Sequence, residues 1–456
     1  METRVKQSRQ GILPNLRTAR GFAVLLYSYL VVAFLLTFSA ATLMLSSLDA
    51  RHAERALTQQ QAFWAAEAGI DQAGQWLNAR SSPPTCPGFR YPCNLTLFGG
   101  SQTFGNGSYS AVINLPASNA NSSVDRYEMT VTATTAGVSV ARTVAFTLQT
   151  ESFARFAWFE NHDQFEEEDD LDNWFITGAT VGGPFHSNGQ LHVWGGPVFE
   201  GPVSTVAKTV DCWHGCPRYD TKSPAPPNDY PDFHSGITLG ADAISMPNPS
   251  LDELRNNASL VVSGDTTIAL AGTSILVNGT PYAVESNPVV FVKDGDLKLV
   301  GGELDGQLTL GTDEDIIIFN HVRYACNPED AQYDADCRDE NGQVTRNDDL
   351  AGLVAKGHVR ISDSAPANLT IQASIMAVKN SFELQNNTRV PPKGKLHVFG
   401  GIIQNWIGIT GWFDPETGQY VNGYREDYWY DERLLDLAPP YFPTTGRYQA
   451  VLWQDR

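Results

Sequence analysis

Six cysteines carry the most readable chemistry in this sequence, and they fall as three short-range pairs: Cys86 with Cys93, Cys212 with Cys216, and Cys326 with Cys337. Each pair can close a small loop, and in an oxidising compartment local disulfides are the simplest pairing. The stretch Cys212-Trp213-His214-Gly215-Cys216 also admits a thiolate zinc site. Zinc takes about four ligands, however, and no second ligand cluster follows at a matching spacing. Carboxylates are the other abundant reactive group. Glu160 to Asp172 holds eight acids in thirteen positions, a run that reads as a solvated, self-repelling loop, above all from Glu166 to Asp170. Asp313-Glu314-Asp315 and the loop from Asp334 to Asn341 could offer hard oxygens to Ca²⁺, but the second lacks a turn glycine and a distal bidentate glutamate. Solvated loops are therefore expected there, and no metal ligand set is assigned. The nine histidines are scattered. His192, His358 and His397 alternate with aliphatic residues, which places them on the outer, solvent face of strands.

Catalytic constellations are missing from the sequence. It has no Gly-x-Ser-x-Gly elbow, no phosphate-binding glycine loop and no His-Glu-x-x-His helix. A non-enzymatic protein without a cofactor is the expectation. The alternative is a surface carbohydrate enzyme built on paired acids.

The elements that must position these groups begin with a charge asymmetry. The chain has 456 residues and a formal net charge of -20, from 31 basic and 51 acidic residues. That sign disfavours a broad nucleic-acid surface. At 42% hydrophobic and 11% aromatic residues the chain can bury a large core, which excludes general disorder. Residues 1–20 carry Arg4, Lys6, Arg9, Arg17 and Arg20 against Glu2, a balance of +4. The next 25 residues, Gly21 to Leu45, are uncharged. As a helix they would span about 37 Å, enough to cross a membrane with the basic end cytoplasmic and the body exported. A cleaved secretory signal has a shorter apolar stretch, of about 7 to 15 residues. Apolar residues then recur at three- and four-residue steps to about Asn78, so the membrane helix continues as an amphipathic one. The proline-bearing loop after it stops the helix.

The basic leader ending at Arg20-Gly21, Phe22 opening the apolar run, and Ala62-Phe63-Trp64-Ala65-Ala66-Glu67-Ala68-Gly69 on the emerging helix resemble the amino-terminal signature of PilX-type minor pilins. The resemblance covers residues 15–80. It implies cleavage by a prepilin peptidase between Gly21 and Phe22, then packing of the helix into a type IV filament. The signature residues would be Ala66, Glu67, Ala68 and Gly69. Leu26 stands where most pilins carry glutamate, a departure that fits a minor or tip subunit.

Alternating stretches at Tyr109 to Leu115, Arg126 to Thr135 and Val138 to Leu148 read as antiparallel strands of a small head. Beyond residue 151 one pattern recurs: glycine, any residue, aliphatic, any residue, aliphatic. It starts at Gly189, Gly295, Gly306, Gly357 and Gly394. Such a strand points two aliphatics inward, as the coils of a β-solenoid do. An irregular β-sandwich is the alternative. Segments 207–258 and 324–349 would be excursions from the stack. The aromatic tail ends in an alternating stretch, Tyr448 to Trp453, that could return to the head. This organisation resembles the competence-associated minor pilins of the ComZ type, which implies a β-solenoid inserted in a pilin head and DNA binding at a pilus tip. Trp213 with Arg218, or Arg323 with Tyr324, could then stack on single strands.

The expected fold is α+β: a leader (1–21), a pilin helix (22–80), a β head (81–150), a β-solenoid-like insertion (151–410) and an aromatic segment returning to the head (411–456). The expected function is that of a minor pilin or pseudopilin in assembly priming, tip display or surface adhesion. Its partners would be the inner membrane, other pilins and assembly proteins, a prepilin peptidase and, in the alternatives, extracellular DNA or surface polysaccharide.

Overall fold

The computed structural model describes residues 16–78, 84, 86, 92–115, 126–135, 141–166, 168–216, 228–329, 348–413 and 420–455. The first fifteen residues, Arg218, Cys337 and the acidic loop from Asp334 to Asn341 lie outside that set. The chain is α+β, with one long apolar helix and a β-rich remainder.

The helix runs Leu16–Asn78, 63 residues or about 94 Å. Gly21 and Phe22 lie inside it. From Val24 to Leu45 its large apolar side chains are exposed, Leu25, Tyr27 and Leu43 among them. By length and composition this helix can cross a membrane as a single-pass anchor. Its last third has a different partner. Ala65, Ala66, Ala73 and Leu77 are buried against Tyr109, Ala111, Ile113, Met129 and Val131 of the neighbouring sheet. Small residues at this spacing let the helix axis lie close to the strands. At Gly69 a Cβ would come within 2.7 Å of the Tyr109 ring and 2.8 Å of Val131, so only glycine fits.

That sheet is antiparallel, with strand order Cys93–Thr96, Gly107–Leu115, Arg126–Thr135, Ala141–Ser152 and Thr444–Asp455, and Gln102–Phe104 on Gly107–Leu115. The last strand comes from the far end of the chain and pairs with Ala141–Ser152. Everything between residues 152 and 444 leaves and re-enters at one sheet edge. Phe153 N–H donates to Pro443 O at 3.0 Å across that gap. Phe153, Phe156, Phe159, Tyr430, Leu434 and Phe442 fill the junction, with Phe153 and Phe159 edge to face at 5.0 Å.

The intervening region is a stack of parallel strands in register. One column of aligned positions reads Leu260, Val290, Leu310, Leu353, Ile375, Ile402, Trp158, Phe185, Val203, Ile237. Parallel pairing along this whole column is not the arrangement of an antiparallel sandwich. Trp158–Glu160, the first strand of the region, sits mid-column between Ile402–Gln404 and Phe185–Ser187. The chain therefore enters mid-stack, builds outward to Ile237–Leu239, crosses to the opposite end and builds back. The crossing spans nine strand spacings, about 43 Å. Residues 240–259 can reach about 66 Å when extended. Along the way Ile244 exchanges two hydrogen bonds with the Asn188 side chain, and Leu254 packs in the same cluster as Phe291.

The five glycine patterns each lead into a strand of this stack, and their paired aliphatics, such as Leu191 with Val193 and Leu297 with Leu299, are buried. The glycine has a physical reason. At Gly189, Gly357 and Gly394 a Cβ would lie 2.5, 2.1 and 2.1 Å from side-chain oxygens of Asp163, Asp315 and Asn368. Those side chains accept the next N–H: Gln190 to Asp163 Oδ2 at 3.0 Å, His358 to Asp315 Oδ1 at 2.8 Å, Lys395 to Asn368 Oδ1 at 2.9 Å. Glycine thus makes room for an Asp or Asn of a neighbouring turn to cap the strand. One turn alone stays marginal, because burying an aliphatic contributes about 1.5–3 kcal/mol while ordering each backbone residue costs about 1–2 kcal/mol.

The expected excursion 207–258 is only partly one. Asp211–Cys212 pairs with His192–Trp194, Asp232–Phe233 with Val198–Phe199, and Ile237–Leu239 with Val203–Thr205. Further on, Arg425–Trp429 pairs with Lys395–Phe399, so of the aromatic tail only Thr444–Asp455 joins the head sheet.

Candidate functional site

Part of the acidic run from Glu160 is strand rather than loop. Gln164–Phe165 pairs with Glu168–Asp172 as a short hairpin laid along the outside of the stack, tied by Glu166 N–H to Ile407 O at 3.2 Å and Ile407 N–H to Gln164 O at 3.0 Å. His162 stacks on Trp406 at 3.9 Å. This strap covers the outward face on which strand alternation places His192 and His358. Both histidines, expected in solvent, are consequently held between carboxylates.

His192 is 7% exposed. It donates through Nδ1 to Asp211 Oδ2 at 2.9 Å and through Nε2 to Asp163 Oδ2 at 3.0 Å, with Asp172 Oδ1 at 3.9 Å. Burial opposes the charged ring, but the bonds to Asp163 and Asp211 outweigh it and raise its pKa. His358 meets Glu166 at 3.2 Å, Asp315 at 3.5 Å and Glu383 at 3.8 Å. Desolvation again opposes the charge, and its Asp315 and Glu166 partners push it up to about 9. Arg360 bridges the same group, with Nε to Glu383 at 2.7 Å and a second bond to Asp315. His397 lies between Glu329 at 2.9 Å and Asp427 at 3.0 Å, with Lys395 3.3 Å from Asp427. The partly exposed ring is no more a free surface group than the other two.

Behind the first centre Glu160 is buried, 1% exposed. It accepts from Trp158 Nε1 at 2.7 Å, and burial pushes its carboxyl up to about 7 against the hydrogen bonds from Trp158 and Ser187. Beside the centre stands an indole cluster. Trp213, 58% exposed, stacks on Trp194 at 5.3 Å and meets Trp174 edge-on at 5.2 Å.

Disulfides join Cys86 to Cys93 and Cys212 to Cys216. Oxidised sulfurs leave no thiolate pair for a metal beside His214, whose Nδ1 lies 3.2 Å from buried Asp229 instead. Cys326 is also disulfide-bonded, and Cys337 is outside the described residues. Ala66 and Gly69 face the head sheet, whereas Glu67 is half-buried with an Oε1 that finds no hydrogen-bond partner among the described residues. Asp315 is committed to His358 and Arg360 rather than open to Ca²⁺. Tyr324 is buried, its hydroxyl accepting Ala351 N–H at 3.1 Å, and offers no face for a nucleic-acid base.

Comparison with known proteins gives one family match, to a domain of unknown function (DUF4900), over residues 117–216. Asp163, Asp172, His192 and Asp211 all lie within it. No curated protein matches the chain. Among solved structures, the competence-associated pilin ComZ from Thermus thermophilus is similar at 12% identity, covering 88% of this chain and 98% of that one, with a TM-score of 0.30. So loose a likeness adds nothing to the strand pairings, on which the description of the fold rests.

Proposed function

We propose that this chain is a pilin-like, non-enzymatic subunit of a type IV filament system, minor or tip-located, whose stacked parallel strands form a β-solenoid displayed from the head. One observation carries the reading: a single 63-residue helix is apolar and exposed from Val24 to Leu45 and packs through Ala65, Ala66 and Gly69 on an antiparallel sheet over its end. A membrane anchor alone would need neither that continuity nor that small-residue face. A filament subunit needs both, because the exposed half must exchange lipid for neighbouring subunits while the head stays fixed on the other half.

The test is processing. In a host with a prepilin peptidase, Gly21→Leu should leave the leader attached and hold the protein in the membrane. A Gly21→Leu protein shortened and localised like the wild type would refute the reading.

A further inference from the structure

We propose that Asp163, Asp172 and His192 form a binding site for a divalent transition-metal ion of the zinc class, with Asp211 holding the imidazole from its far side. The ligand atoms already converge. His192 Nε2 lies 3.0 Å from Asp163 Oδ2 and 3.9 Å from Asp172 Oδ1, and one ligand atom from each residue lies within 4.8 Å of the other two. Tetrahedral zinc with bonds of about 2.1 Å needs ligand atoms about 3.4 Å apart. The two separations from His192 Nε2 each lie within about half an ångström of that spacing.

The far nitrogen is already committed, since Asp211 Oδ2 takes Nδ1–H at 2.9 Å. A carboxylate behind a ligating imidazole fixes which nitrogen faces the ion and raises its basicity. Asp163 is pinned as well, by Gln190 N–H and by the close approach that Gly189 permits. Asp172 and Asp211 are 36% and 52% exposed, so an ion reaches the group from solvent.

Charge separates this centre from the other two. At His358 the carboxylates are bridged by Arg360, and at His397 Lys395 stands beside Asp427. Around His192 three carboxylates share one imidazole, and among the described residues no lysine or arginine pairs with them. The second convergent group, Glu166 with His358 and Glu383, already has its cation in Arg360. A nitrogen ligand among oxygens favours Zn²⁺ or its first-row neighbours over Mg²⁺ and Ca²⁺.

The experiment uses the full-length protein in detergent, titrated with Zn²⁺ alone and followed by calorimetry and by indole fluorescence, since Trp174 lies 5.0 Å from the His192 ring. The expected result is one saturable equivalent that Ca²⁺ does not displace. Binding should be lost in His192→Gln, weakened at least about tenfold in Asp172→Asn and about 10–100-fold in Asp211→Asn. It should be unchanged in His358→Gln and in His234→Gln, the latter residue lying between the surface acids Glu200 and Asp232. Asp172 is partly exposed, and melting of its variant without Zn²⁺ checks that the fold survives. No saturable Zn²⁺ uptake, uptake that persists in both Asp172→Asn and His192→Gln, loss in His234→Gln or His358→Gln, or equal competition by Ca²⁺ would each overturn the site. Leader processing is untouched by these variants, so the metal site and the filament reading stand or fall separately.

Discussion

Two ionisable residues of the stack, buried Glu160 and partly buried His358, carry large upward shifts, and both act in one direction. Glu160 has its carboxyl raised to about 7, so the folded state holds a proton that the unfolded chain releases near its ordinary value of 4.5. Stability therefore falls as pH rises between those values. His358 is raised to about 9 from 6.5. Its contribution is fully present below 6.5 and is lost as pH climbs through about 9. Thermal melts from pH 4 to 10 should show stability declining across both windows. Glu160→Gln, which keeps an acceptor for Trp158, should flatten the lower window and raise the melting temperature above pH 7. His358→Gln should flatten the upper one. A wild-type profile that rises between pH 5 and 9 would contradict both assignments. The pairs Cys86–Cys93 and Cys212–Cys216 were legible in the sequence because their spacing is local. The histidine–carboxylate contacts were not, since Asp163 and His192 are 29 positions apart and the period of the stack is irregular. Strand alternation put these histidines outside, correctly, but nothing local to them marked the Glu160–Asp172 segment as their cover.

Between elements, the decisive contact is the end of the helix on the head sheet. Gly69 is filled to within van der Waals distance by Tyr109 and Val131. Gly69→Val should cost about 1–3 kcal/mol through overpacking and lower the melting temperature of the head, while Gly74→Ala, with open space around its Cβ position, should not. The strands of the head and the glycine patterns of the stack were readable because period-two alternation survives wherever one face is buried. The order of the stack was less accessible. Strand Trp158–Glu160 pairs with Ile402–Gln404, a contact across most of the region that no local pattern encodes.

At the scale of the molecule, the chain is organised around two crossings at one edge of the head sheet. Ala141–Ser152 leads out and Thr444–Asp455 leads back. Deleting residues 444–456 should uncover the edge of Ala141–Ser152 and release the aromatic junction around Phe153 and Phe442. Proteolysis would then cut the connection near residues 152–157 well before the stack itself. Equal resistance in the truncated and full chains would show that the C-terminal strand does not close the head. On the proposed reading, the basic leader would orient the helix in the membrane and cleavage would then remove it. The most direct measurement is the mass of the amino terminus of the protein recovered from cells that carry a prepilin peptidase. The filament reading requires a chain that begins at Phe22. An intact leader, or a terminus elsewhere, in such cells would contradict it.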